Sequence, residues 1–107
     1  MSTDIIAKLN DRLRTAFLGG QIVITAGIAA LPPEVQADIV TKVRTFDDFS
    51  EDNNPFEEHD FGSFKHDGHT IFWKIDYYTP DLKHGSPDPS DPGVTSRVLT
   101  VMLASEY

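Results

Sequence analysis

Seven carboxylates stand in the segment from Asp47 to Asp60, with no lysine or arginine among them: Asp47, Asp48, Glu51, Asp52, Glu57, Glu58 and Asp60. Such a cluster can imitate a nucleic-acid backbone or meet a basic groove, and charge steering would speed that encounter. The plain alternative is a solvated loop, because runs of like charge usually face water. The partner-binding candidates are Asp47, Asp48, Glu51, Asp52, Glu57 and Glu58. Phe49 and Phe56 lie within the run and would anchor it to the core or touch a partner, the first being the commoner use of an aromatic side chain.

The histidines are His59, His66, His69 and His84. His66 and His69 flank a turn dipeptide and would face each other across a hairpin. With Asp60 or Asp67 nearby, such a pair has the donor types of a zinc, iron or nickel site. No HExxH spacing is present and no third ligand is fixed, so no metal is expected. A catalytic reading would draw on His59, Asp60, Lys74, Asp76, Tyr77 and Tyr78, the right types for acid–base work. Their spacing does not bring them together, and the chain has no nucleophile elbow, phosphate loop or GxGxxG. No catalytic residue and no cofactor are assigned. Lys74 and Asp76 on one strand face read more simply as an exposed charge pair.

These side chains need elements to hold them. Ile6, Leu9, Leu13 and Phe17 recur at three and four residues, which predicts a helix from about Asp4 to Phe17 with one apolar face. Asp4 suits its N-terminal dipole, Arg12 and Arg14 its C-terminal one, and Gly19-Gly20 ends it. Gln21 to Thr25 reads as a short buried strand. Ala26 to Leu31 suggests a tightly packed connection. Pro32-Pro33 opens a second helix from about Pro33 to Thr45, with Val35, Ile39, Val43 and Phe46 on its inner face.

Asp67-Gly68 favours a two-residue hairpin turn between strands Asp60–His66 and His69–Tyr78. The register then pairs His66 with His69, Phe64 with Ile71 and Gly62 with Trp73, leaving room for the indole. Phe64, Ile71, Trp73 and Ile75 share the core face, and Phe72, Lys74 and Asp76 the other. Thr79 to Thr95, with Pro80, Pro87, Pro89 and Pro92, is a loop. Residues 97–104 are apolar on both faces and are a central strand or a buried helix, with β-branched content favouring the strand.

The expected fold is α+β: two helices packed on one face of a mainly antiparallel four-stranded sheet, in the order α-β-α-β-β-β. At 107 residues and 39% hydrophobic, residues 1–107 are expected to form a single domain with a core that needs no disulfide. Cysteine is absent, which removes thiolate chemistry and fits a reducing compartment. No signal peptide and no apolar run long enough to span a bilayer is visible, so a soluble, cytoplasmic protein without membrane association is expected. The net charge of −8 argues against direct nucleic-acid binding and suits a protein with a basic surface.

Several stretches together carry a resemblance: Asn10 to Arg14, Thr25 to Pro32, Phe46 to Phe49, His59 to Gly62, Phe72 to Tyr78, Gly85 to Pro89, and Arg97 to Thr100. On these the chain resembles a small bacterial family of unknown function found on conjugative plasmids and other mobile elements. The resemblance runs from about Asn10 to Tyr107 and implies no activity. It implies a setting, the cargo of mobile DNA, where counter-defence and maintenance proteins collect. The leading expectation is a non-catalytic, acidic protein-binding module that occludes the basic, nucleic-acid-binding surface of a host nuclease or CRISPR-type complex. The alternative is a small enzyme or ligand-binding protein with a pocket near His59, Asp60, Asp76 and Tyr78.

Overall fold

A computed structural model describes residues 2–49 and 57–107. The chain forms α1 (Ser2–Ala16), β1 (Gly20–Ile24), a four-residue helix α2 (Ala26–Ala29), α3 (Pro33–Arg44), β2 (Phe61–His66), β3 (His69–Tyr78) and β4 (Ser96–Leu103). Short 3-10 turns cover Pro92–Val94 and Ala104–Glu106. The two long helices and the hairpin fall where periodicity and turn chemistry predict them, and residues 96–103 are a strand.

The strand order is β1-β4-β3-β2. The hairpin has the expected register, with His66 opposite His69, Phe64 opposite Ile71 and Gly62 opposite Trp73. β3 pairs antiparallel with β4, whereas β1 runs parallel to β4. The sheet is therefore mixed, which corrects the expectation of a mainly antiparallel one. The β-branched run of β1 favours a strand, but nothing local specifies the direction of a neighbour as distant in sequence as β4. A second departure is α2, where only a connection was expected.

One face of the sheet meets α1, α2 and α3. Leu13, Ile28, Ile39 and Val43 from the helices join Ile71, Trp73, Ile75, Leu99 and Val101 in one buried cluster. Trp73 is fully buried, and Phe46 meets it edge to face at 5.5 Å between ring centres. A side chain at residue 62 would collide with the Trp73 indole and Phe46, so glycine is required there. On the opposite face Phe61, Phe72 and Tyr107 form an aromatic group with centroids 5.2–6.4 Å apart. Lys74 and Asp76 form an ion pair there at 2.8 Å, as their shared strand face predicts.

Two polar devices tie the helices in place. The Arg14 guanidinium, buried beneath α1, donates to the carbonyls of Val43, Arg44 and Phe46 at 3.0, 3.2 and 2.8 Å. It thus caps the C-terminal end of α3, where helix carbonyls lack partners and positive charge is favoured. The Glu106 carboxylate accepts from Thr25 Oγ1, the Gly27 amide and the Leu103 amide at 2.6, 3.0 and 2.8 Å. This gives α2 the N-terminal acceptor that Thr25 itself does not supply. Among the described residues, no helix is long and apolar enough to cross a membrane.

Candidate acidic cleft

The exposed turns of α1 and the segment leading into β2 enclose a cleft of about 510 Å³, lined by Asp4, Ala7, Lys8, Asp11, Glu57 and His59. Asp4, Ala7, Lys8 and Asp11 are three and four residues apart, so one helix face presents them all. His59 closes the other side. Its Nδ1 lies 3.0 and 3.1 Å from the two Asp11 carboxylate oxygens, and its ring stacks flat on Phe49 at 3.8 Å. Asp11 also accepts from Arg14 at 3.1 Å. Glu57 and His59 both have left-handed backbone, with φ of 59° and 56°. That conformation costs a side-chain-bearing residue of the order of 1–2 kcal/mol and persists only where the surroundings hold it. Phe49 and Asp11 hold it at His59.

Behind the cleft lies a buried polar network. Asn10 Nδ2 donates to the Glu58 carbonyl at 2.9 Å and to the Tyr77 hydroxyl at 2.8 Å. Asn10 Oδ1 accepts from Arg97 Nε at 2.8 Å. Tyr77 in turn donates to Glu58 Oε1 at 2.9 Å, and Arg97 donates to the Pro89 carbonyl. Burial raises the Tyr77 phenol far above its ordinary range, so it stays a donor. Burial lowers the Arg97 guanidinium, and burial followed by the nearby Glu58 charge raises the Asp60 carboxyl. The network fixes the segment that carries Glu57 and His59 to α1, β3 and β4.

Residues 24–106 match the family described as "Protein of unknown function (DUF3768)". The chain belongs to that family. No curated protein and no solved structure matches it. The matched region of this DUF3768 chain holds Glu57, Glu58, His59, Tyr77 and Arg97, whereas Asn10, Asp11 and Arg14 precede it.

The candidates from the acidic run are dispersed by the fold. Asp47 and Asp48 are exposed just beyond α3, and Glu57 is exposed at the cleft. Glu58 is half-buried and turned inward onto Tyr77. Glu51, Asp52 and Phe56 lie outside the described residues. Phe49 packs against the core beneath Arg14 and Trp73, the anchoring role that aromatics in loops commonly take.

Of the residues in the alternative pocket, His59 reaches the cleft, while Asp60, Asp76 and Tyr78 are not part of its lining. His66 and His69 stand opposite each other, and among the described residues no three metal-ligating side chains converge. Asn10, Arg14 and Arg97 were not singled out as buried. Asn10 falls on the apolar stripe of α1 with Ile6 and Leu13, and Arg97 shares the strand face of Leu99 and Val101. A polar residue on an apolar face is the signal that finds such groups.

Proposed function

We propose that the protein is a non-catalytic binding module whose acidic cleft receives a basic surface of a partner protein. The observation that carries this reading is the convergence of Asp4 and Asp11 from α1 with Glu57 from the opposite wall around one cleft. Exposed Asp47 and Asp48, and the net charge of −8, extend the same sign over the chain. Three carboxylates stand against the single ammonium of Lys8 in the lining, and a cleft of net negative charge concentrates the opposite sign and speeds its arrival. In its finer form the partner is the nucleic-acid-binding surface of a host nuclease or CRISPR-type complex, and the protein serves a plasmid or other mobile element in counter-defence. Support for that setting is the resemblance carried by the motifs above. The test is capture of a basic partner from host lysate, followed by association kinetics at rising salt. The expected result is an on-rate that falls with salt. Affinity indifferent to salt removes the reading.

One observation favours the second reading, a small-ligand or enzymatic site: the Asp11–His59 pair held against Phe49 in the same cleft. Its test is a screen of cationic small molecules by nuclear magnetic resonance. Shifts centred on His59 and lost in His59→Gln would favour it over the first.

A further inference from the structure

The two edges of the sheet are treated differently. At the β2 edge, Lys65 is exposed and Lys42 Nζ reaches across to the Lys65 carbonyl at 3.4 Å. Charge at an edge, and a side chain over its backbone, are common protections against further strand pairing. β1 forms the other edge and, among the described residues, has neither. It pairs on one side with β4, and the Thr25 amide continues that ladder to the Val101 carbonyl at 3.1 Å. Backbone groups alternate sides along a strand. The amides and carbonyls of Ile22 and Ile24 therefore point to the open side, away from β4. Val23 is 39% and Ile24 40% exposed, and Leu18 just before the strand is 58% exposed.

Charge decides what can cover this edge. Residues 15–33 carry no charged side chain in a chain whose net charge is −8. A basic partner finds no carboxylate within residues 15–33, and the Glu106 carboxylate at the end of β1 is already engaged by Thr25, Gly27 and Leu103, whereas two copies of the chain repel each other wherever their acidic faces meet. The uncharged edge is where two copies can approach closely. Its side chains also suit self-pairing. With two β1 strands antiparallel about Ile22, Ile22 faces Ile22, Gln21 faces Val23, and Ile24 faces Gly20, which has no side chain to obstruct it. Both backbone groups of Ile22 then bond to those of the other Ile22.

We propose that two copies of this chain pair antiparallel through β1, joining two four-stranded sheets into one continuous sheet. The surface is separate from the acidic cleft and has the opposite salt response. Screening the −8 charge of each copy tightens the dimer, whereas it loosens a basic partner.

The test is sedimentation velocity on the full chain over a concentration series at low and high salt. The expected result is a dimer favoured by concentration and by salt. Ile24→Lys should be monomeric, while Leu82→Lys, at an exposed apolar residue of a distant loop, should remain dimeric. The chain has no cysteine, so in Ile22→Cys any disulfide joins two copies. Facing residues of a hydrogen-bonded antiparallel pair have Cα atoms about 5.5 Å apart, within disulfide range. Mild oxidation should therefore crosslink Ile22→Cys and leave Leu82→Cys uncrosslinked. A wild-type chain that stays monomeric throughout overturns the proposal, as does a dimer that survives Ile24→Lys or fails to crosslink at Ile22→Cys.

Discussion

Gly62 stands opposite Trp73 in the β2–β3 ladder, and the indole fills the space that a side chain at residue 62 would need. The largest core residue is thus seated by the smallest one on the neighbouring strand. Trp73→Ala should lower stability by roughly 3–5 kcal/mol, the usual cost of emptying a buried aromatic site. Gly62→Ala should cost about 1–3 kcal/mol by overpacking the same site. Urea unfolding followed by circular dichroism measures both, and a loss below about 1 kcal/mol for Trp73→Ala would contradict full burial.

Arg14 should be worth more than its position on a helix surface suggests. Its guanidinium satisfies the carbonyls of Val43, Arg44 and Phe46 and lies 5.2–5.3 Å from the centres of the Phe49 and Trp73 rings. Arg14→Leu keeps apolar bulk but removes the donor to the Arg44 and Phe46 carbonyls and leaves Val43 only the Phe46 amide at 3.3 Å. The expected loss is about 2–3 kcal/mol, in the range for hydrogen bonds to a charged group. Arg12→Leu, at an exposed position two residues earlier, should change stability by less than about 0.5 kcal/mol.

Two carboxylates should move stability in opposite directions with pH. Hydrogen bonds from Thr25, Leu103 and Gly27 hold Glu106 below its ordinary value of 4.5. An acid with a lowered folded pKa binds fewer protons when folded, so its contribution is present above the ordinary value and is lost as pH falls through the folded one. Burial and Glu58 raise Asp60, which reverses the sign: its stabilising contribution exists at low pH and is lost as pH rises through its folded pKa. Glu106→Gln should therefore lower the melting temperature at pH 7 and flatten the acid limb of the stability curve. Asp60→Asn should raise the melting temperature at pH 7 and have little effect near pH 3. Calorimetry at several pH values measures both, and a shared sign at pH 7 would count against the two environments.

The legible parts of the fold are those set by short-range rules. Asp67-Gly68 fixes a two-residue turn, and the period of two then assigns every side chain of the hairpin to a face, which is why Trp73 could be placed. Residues 97–104 were ambiguous because both faces carry apolar residues, as a strand with neighbours on both edges allows. The parallel pairing of β1 was not legible, because its partner arrives after α3 and the hairpin. Nor was α2, whose cap comes from Glu106 at the far end of the chain. The cleft was half legible. The acidic run marked Glu57 and Glu58, but their roles diverge through a positive φ at Glu57, which has no local pattern, and through the bond from Tyr77 to Glu58, a contact between residues distant in sequence.

That divergence separates surface charge from structural charge within one acidic run. Glu57 is exposed at the cleft and Asp47 is exposed beyond α3, while Glu58 accepts a hydrogen bond from the half-buried Tyr77 hydroxyl. If the run meets a basic partner, attraction acts before contact and is screened over about 8 Å at physiological salt. Asp47→Asn with Glu57→Gln should then slow association and flatten its dependence on salt, with dissociation little changed. Stability should hold or rise slightly, because removing exposed like charges relieves repulsion in the compact state. Glu58→Ala should behave differently. It leaves the Tyr77 hydroxyl without its acceptor, and the expected loss is about 1–3 kcal/mol of stability. Tyr77→Phe should lose a similar amount by leaving Asn10 and Glu58 short of a partner. The Glu58 and Tyr77 losses should not add in the double variant, since both changes break one network. Binding kinetics and urea unfolding on the same set of variants resolve the two roles. An unchanged on-rate in the Asp47/Glu57 variant would remove the acidic surface from recognition. Full additivity of Glu58→Ala and Tyr77→Phe would show that the network does not hold the segment.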